Sequence, residues 1–327
     1  MDRLNVSPAP HINASRTTRT LMIEVIIALI PAFIWAIYIF GTRVLTLTLL
    51  SILCCVLFEG LFCALTRRKN TVGDFSAVLS GLLLAFNLPV SAPLYFCVIG
   101  SFFAMIVVKG LFGGLGKNIV NPVLAARVFL VLSFPDGMTS YVAPLTHPSA
   151  SALTVDVTQT ASLLSQLRET TFPENLSALD LFLGMQSGFI GEISILLLSI
   201  GGLFLLIRRV ISPLIPVSFI ATVALLTFFF PQMESAVAWE FMMAQLFTGG
   251  LFLAAFFMAT DPTTSPLTFK GRILYGVGCG VITVFIRYYG ASPEGVPFAV
   301  LIMNLLVFYL DRYARPARFG GEARGKN

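Results

Sequence analysis

The sequence predicts an all-α polytopic membrane protein with about ten transmembrane helices, two of them broken, and three observations carry that prediction. The 327 residues are 57% hydrophobic and only 11% charged, whereas an ordinary soluble domain carries about 25% charged residues. The apolar residues fall into runs close to the roughly 20 residues that an α-helix needs to cross a bilayer core of about 30 Å. Lysine and arginine cluster in every second connection between those runs, which is the charge pattern of cytoplasmic loops.

Residues 1–20 are polar, contain Pro8, Pro10, His11, Arg16 and Arg19, and hold no short apolar core of the kind a cleavable signal has. They are expected to form a cytoplasmic N-terminal segment, with the first span acting as its own insertion signal. Runs 21–40, 44–66, 191–207, 213–230 and 239–260 meet or approach full length without interruption. Residues 93–111, 272–288 and 295–310 add further spans. Runs 76–88 and 121–134 are flanked by proline or glycine and are too short to cross comfortably alone, so short or discontinuous spans are expected there.

Two distant stretches read as variants of one another. Ser80-Gly81-Leu82-Leu83-Leu84-Ala85-Phe86 leads into Asn87, Pro89 and Pro93, and Thr248-Gly249-Gly250-Leu251-Phe252 leads into Asp261-Pro262-Thr263-Thr264-Ser265-Pro266. Interrupted helices at matching places are tolerated where the freed backbone groups line a polar cavity, so both breaks point to a binding site between two halves. These patterns divide the chain into a first membrane half (21–134), a polar insert (135–178), a second membrane half (179–312) and a basic cytoplasmic tail (313–327).

Arg16 and Arg19, the run Arg67-Arg68-Lys69, Lys109 and Lys117, Arg208-Arg209, Lys270 and Arg272, and the tail place both termini in the cytoplasm. Arg43 and Arg287 fall on the opposite side and break the pattern. The net charge of +5 follows from this topology, and no nucleic-acid partner is expected. Cys54, Cys55, Cys63, Cys97 and Cys279 all lie inside predicted spans, where thiols serve as small packing groups. Their spacing makes no zinc or iron–sulfur set. With only His11 and His147, a haem held by paired intramembrane histidines is not expected either.

The insert is rich in Ser, Thr and Pro, and its segment Thr154-Val155-Asp156-Val157-Thr158-Gln159-Thr160-Ala161-Ser162-Leu163-Leu164 sets several hydroxyls behind a carboxylate. Hydroxyl-rich loops usually bond their own backbone. A chemical role here needs a hydroxyl that accepts a phosphoryl group.

Within the spans, Glu59 sits among Leu57, Phe58, Leu61 and Phe62, and an ionisable group at that depth faces a partner or a cavity. Arg127 follows Asn121-Pro122, where a guanidinium could hold a phosphate or form a buried ion pair. Asp261 and Glu294 adjoin breaks, where a carboxylate with exposed backbone could make a cation site; capping is the alternative for Asp261. Glu59, Asp261 and Glu294 are therefore the ion-pathway candidates. Gly113, Gly114 and Gly116 with Asn118 make a tight turn, either a simple helix connection or a phosphate-approaching loop.

Taken together, the stretches Ser80-Gly81-Leu82-Leu83-Leu84-Ala85, Lys109-Gly110-Leu111-Phe112-Gly113-Gly114-Leu115-Gly116-Lys117-Asn118, Asn121-Pro122, Asp180-Leu181-Phe182-Leu183-Gly184, Ile190-Gly191-Glu192, Ile215-Pro216-Val217-Ser218-Phe219, Phe256-Phe257-Met258-Ala259-Thr260-Asp261-Pro262 and Pro293-Glu294-Gly295-Val296 resemble the RnfD family, a membrane component of the Rnf electron-transport complex. They also resemble its relative NqrB, from the sodium-pumping NADH:quinone reductase. The resemblance implies two inverted five-helix repeats in a multi-pass component of the bacterial cytoplasmic (inner) membrane. It implies a translocase complex that couples electron flow between ferredoxin and NAD to movement of Na+ or H+, with RnfA, RnfB, RnfC, RnfE and RnfG as partners in the lipid bilayer.

The resemblance further implies a flavoprotein carrying FMN through a phosphoester, attached outside the cytoplasm by a flavin transferase within a motif like Asp-x-x-Ser/Thr-Gly/Gln-Ala-Thr-Pro-Leu. On this chain Asp156 takes the Asp place, Ala161 the Ala and Ser162 the acceptor, with Leu164 at the end; Gln159, Thr160, Ser162 and Leu163 depart from the motif. A one-residue slip makes Thr160 the acceptor instead. Ser162 is the first candidate, Thr160 the second, and absence of covalent flavin the third. Asp156, Arg127 and Asn121 are the other flavin-contact candidates, and riboflavin is a further, noncovalent cofactor candidate. Two other functions stay open at this point: a secondary transporter built from the broken repeats, and a flavin-free scaffold in the same complex.

Overall fold

A computed structural model describes residues 17–68, 71–146, 148, 162–168, 178–192, 194–232, 238–290 and 292–314. Among them the regular structure is helical, apart from one antiparallel bridge between Pro89 and Phe189. The first half opens with α1 (Thr18–Phe40), whose start is set by Thr17 Oγ1 accepting the Thr20 N–H at 3.3 Å, a side-chain N-cap. Gly41, with φ 76°, ends it and turns the chain directly into α2 (Thr42–Leu65). Then come α3 (Ser76–Phe86) and α4 (Leu94–Gly110), whose final turns from Phe103 onward widen to π-helical geometry. α5 (Pro122–Ser133) has proline at its first position and Asn121 as its cap, both favoured where the first N–H groups have no intrahelical partner.

Three short helices lie in and beside the insert: α6 (Pro135–Thr139), α7 (Leu163–Arg168) and α8 (Ala178–Leu183). The second half holds α9 (Ile195–Ile207), α10 (Leu214–Phe229), α11 (Ala238–Phe247), α12 (Leu251–Met258), α13 (Phe269–Tyr289) and α14 (Val296–Tyr313). By length and composition α1, α2, α13 and α14 can each cross a membrane alone, and α11 and α12 do so as a bent pair. With the shorter apolar helices α3, α4, α5, α9 and α10, this is a multi-pass membrane protein.

The halves repeat one packing scheme. α2 lies against α3 and α4, and α10 lies against α11 and α13; α4 packs on α5, and α13 packs on α14. The halves then meet through α1 on α9 and α5 on α14. Small residues permit the closest approaches, as expected where lipid removes the hydrophobic drive between helices. A Cβ added to Gly81 would fall 2.5 Å from the Ile52 backbone, one on Gly280 would fall 2.6 Å from Thr222, and one on Gly276 would collide with Ser218 Oγ.

The structure departs from two sequence expectations. The run 239–260 is not one unbroken span: α11 and α12 meet at 57°. Gly249 and Gly250 take φ values of 71° and 64°, left-handed conformations that cannot continue a right-handed helix. The break therefore precedes Asp261-Pro262. The run 191–207 becomes helical only at Ile195, because residues 190–192 form a separate 3-10 turn.

Candidate functional site

Each break leaves backbone carbonyls without helical partners, and at membrane depth those groups need buried donors. An arginine answers each one. At the end of α3, Arg127 Nη1 donates to Asn87 O at 2.8 Å and to Asn87 Oδ1 at 3.0 Å. At the α11–α12 break, Arg287 donates to Gln245 O, and its Nη2 donates to Thr248 O at 2.9 Å. Arg43 Nη2 donates to Ala92 O at 3.0 Å in the segment leading into α4. Arg43 and Arg287, the two exceptions to the loop-charge pattern, are thus buried structural donors. A rule that counts loop charges does not apply to them.

A carboxylate balances the first of these cations. Arg127 Nη2 pairs with Glu294 Oε2, Tyr141 OH donates to Glu294 Oε1 at 2.5 Å, and the Arg127 guanidinium stands 4.0 Å from the Phe189 ring centroid. Burial first, and then the Glu294 carboxylate, push the Tyr141 phenol well above its ordinary range, so it serves as a donor. Buried Glu192 accepts the Gly249 N–H. The Arg127 cluster joins the end of α3, α5 and Glu294 just before α14, and so ties the halves together where α3 is interrupted.

A cleft opens at the opposite, basic end. It measures about 890 Å³ counting its mouth and lies between Leu21 of α1, Ser80 of α3, Asn118, Asn121, Phe257 of α12 and Asp261. Its walls are mainly apolar, as ligand pockets of this size usually are. Asn121 Oδ1 accepts from Val123 N at 3.0 Å and Leu124 N at 3.3 Å, while its Nδ2 donates to Met258 O at 3.2 Å across the interface of the halves. Asn118 is 7% exposed, and its Oδ1 has no partner among the described residues. The preceding turn holds Gly113, Gly114 and Gly116 at φ 110°, 94° and 86°. A Cβ at Gly114 or Gly116 would touch nothing within 4 Å, so backbone conformation alone demands glycine there.

Beside the cleft, Lys109 Nζ bridges Glu59 Oε1 at 2.6 Å and Ser76 Oγ at 2.7 Å. Thr71 Oγ1 donates to the same Glu59 oxygen at 2.6 Å, and Glu59 Oε2 has no partner among the described residues. Lys109 is therefore no loop charge, as its sequence position suggests, but is buried at the end of α4. One signal points that way in the sequence, since Lys109 directly follows Ile106-Val107-Val108 in an apolar run.

A family model described as NQR2, RnfD, RnfE matches residues 5–320. The chain belongs to this family. It is 42% identical to the D component of the Na+-translocating ferredoxin:NAD+ oxidoreductase complex of Acetobacterium woodii, over 97% of this chain and 95% of that protein. It is 36% identical to the D component of the proton-translocating ferredoxin:NAD+ oxidoreductase complex of Clostridium ljungdahlii, over 96% of each. It is also 36% identical to the D component of the ion-translocating oxidoreductase complex of Halorhodospira halophila, over 95% of this chain and 94% of that protein.

The other family-derived candidates separate in space. Ser162 is buried and caps α7: its Oγ accepts the Ser165 N–H at 3.2 Å and lies 3.3 Å from Ser165 Oγ. Leu164 reaches the α11–α12 break, where a Cβ on Gly249 would lie 3.2 Å from Leu164 Cδ2 and 2.5 Å from Arg287 Nη2. Asp156 and Thr160 lie outside the described residues. Asp261 closes its own turn, with Oδ2 accepting from Thr263 Oγ1 at 2.7 Å and Oδ1 from Thr263 N at 3.3 Å. Burial raises the Asp261 carboxyl above its ordinary range, against the pull of those bonds. Arg127 and Glu294 come together, Asn121 stands at the cleft, and Glu59 sits beside it. Sequence reasoning misses Glu192, Tyr141, Arg43 and Arg287 as network members, because each is defined by partners far away in the chain.

Proposed function

We propose that this chain is the RnfD component of an ion-translocating ferredoxin:NAD+ oxidoreductase complex, carrying FMN on Ser162 and a second, noncovalent flavin such as riboflavin in the cleft. The names of its relatives support the complex. The observation that carries the flavin reading is the cleft between the halves, where an apolar slot ends on the unpartnered Asn118 Oδ1 and the capped start of α5. That acceptor suits an N–H on the polar edge of a flavin ring, and the leucine and phenylalanine walls suit its faces.

The fit at Ser162 rests on its primary hydroxyl, which keeps the nucleophile of the family motif. A phosphoester there would replace only a cap bond to Ser165. Bound flavin supplies one- and two-electron redox chemistry. The protein's own part is to hold two flavins at opposite ends of the bundle and to keep water from the buried network between them. Glu59, with one uncommitted oxygen beside Lys109, is the first candidate for contact with the moving cation, and Asp261 at the cleft is the second. Glu294 has both oxygens engaged and serves as the counter-ion of Arg127. The basic helix ends around the cleft favour that face, and both termini, on the cytoplasmic side of the bacterial inner membrane. RnfA, RnfB, RnfC, RnfE and RnfG and a flavin transferase are the proposed partners.

The test is ultraviolet fluorescence of the chain on a denaturing gel after expression with its transferase. The reading expects a fluorescent band that Ser162→Ala abolishes and Thr160→Ala retains. A dark wild-type band, with no flavin mass on the peptide containing Ser162, refutes covalent attachment. Noncovalent flavin released from native protein and lost on Asn118→Leu supports the cleft assignment.

A further inference from the structure

A second pocket adjoins the cleft at the same basic end, sharing Val210, Ile211, Thr260 and Pro262 with it. It measures about 590 Å³ counting its mouth and is lined by Arg209, Ser212, Ile215 of α10, Thr260, Ser265 and Arg272 of α13. No Asp or Glu lines it, so two guanidinium groups face it without a lining countercharge. Asp261, between the lining residues Thr260 and Pro262, turns its carboxylate to the Thr263 and Thr264 hydroxyls.

The arginines are held and yet uncommitted. Arg272 Nε donates to Pro266 O at 3.1 Å, which fixes the guanidinium plane. Among the described residues its two Nη groups make no hydrogen bond or ion pair. Arg209 likewise has no side-chain partner among them. It occupies the left-handed position that closes α9, with φ 55°, Arg209 N donating to Leu206 O and Val210 N to Leu205 O, both at 2.9 Å. That position ordinarily takes glycine, so packing geometry does not account for an arginine there.

We propose that this pocket binds a phosphate group. Two planar guanidinium forks with serine and threonine hydroxyls form the donor set that engages phosphate oxygens at several points. Exposed apolar side chains stand within three residues of the lining residues along the chain, Ile207 at 73%, Leu267 at 75% and Phe269 at 65%. An anionic phospholipid can therefore place its headgroup in the pocket and its chains along the bundle. Inorganic phosphate from the cytosol offers the same chemistry without the chains.

Native mass spectrometry of the full chain in detergent tests this, with dioleoyl phosphatidylglycerol, dioleoyl phosphatidylcholine and inorganic phosphate as the added probes. The expected result is retention of phosphatidylglycerol over phosphatidylcholine, weakened roughly fivefold by Arg209→Gln or Arg272→Gln and unchanged by Lys270→Gln, an exposed neighbour outside the pocket. Retention that millimolar phosphate does not displace identifies the lipid source. Phosphate binding that is arginine-dependent, without lipid retention, identifies the soluble source. Arg209→Gln removes no hydrogen bond within the described fold, so an unchanged size-exclusion profile keeps its result interpretable. Equal retention of the two lipids without arginine-dependent phosphate binding, equal loss in Lys270→Gln, or binding of neither probe overturns the proposal.

Discussion

Arg127 offers the sharpest test of the buried network. Its side chain is 2% exposed, and it holds Glu294, the Asn87 carbonyl and the Asn87 amide oxygen while facing the Phe189 ring. Arg127→Met keeps an apolar stem but leaves Glu294 charged beside the Tyr141 hydroxyl. Breaking a buried pair from one side costs about 3–5 kcal/mol, and the orphaned Asn87 carbonyl adds about 1–3 kcal/mol. At roughly 2–4 °C per kcal/mol, the unfolding midpoint falls on the order of 10 °C. Glu294→Gln on the same background removes the uncompensated charge and recovers about half of the loss, because the glutamine still accepts from Tyr141. The assay is thermal unfolding of the four proteins of the cycle in one detergent, read by size-exclusion fluorescence. Additive effects of the two changes, or a single-variant shift under about 2 °C, would refute the account of Arg127 as the cation that seals the first break.

Lys109→Met is expected to destabilise the chain by about 3–5 kcal/mol, and Lys109→Met with Glu59→Gln by clearly less; the same unfolding assay reads both. Gly249→Ala forces a side chain onto φ 71° and into the Arg287 guanidinium, so a loss of at least about 1–2 kcal/mol is expected, and a neutral result would mean that the break is pliable. Asp261→Asn keeps one acceptor for the Thr263 turn, so a stability change near 1 kcal/mol is expected. A large fall in ion transport by the reconstituted complex, without a matching fall in stability, assigns that carboxylate to the ion pathway.

Much of the fold is legible because helix length and apolarity are local properties. Runs 76–88 and 121–134 read as short spans and are α3 and α5. Gly113, Gly114 and Gly116 mark a turn that their left-handed backbone requires. The candidate site is legible in part. Asn121 and Asp261 stand out beside breaks and line the cleft. Lys109 reads as a loop charge, because a single lysine near the end of a run looks the same in sequence whether it is exposed or paired with Glu59 fifty residues away.

By itself, the sequence determined that this protein lives in a bilayer, where its helices begin and end within a residue or two in most cases, and which family it joins. Those follow from apolar length, caps and charge, all of which act over a few neighbouring residues. Only the tertiary structure decided that Arg127 and Arg287 close the two breaks, that Glu294 and Tyr141 answer Arg127, that Glu59 belongs to Lys109, and that α1, α3, α5 and α12 enclose one cleft. A buried charge must find its partner through space, and the partner's position depends on how the two halves pack.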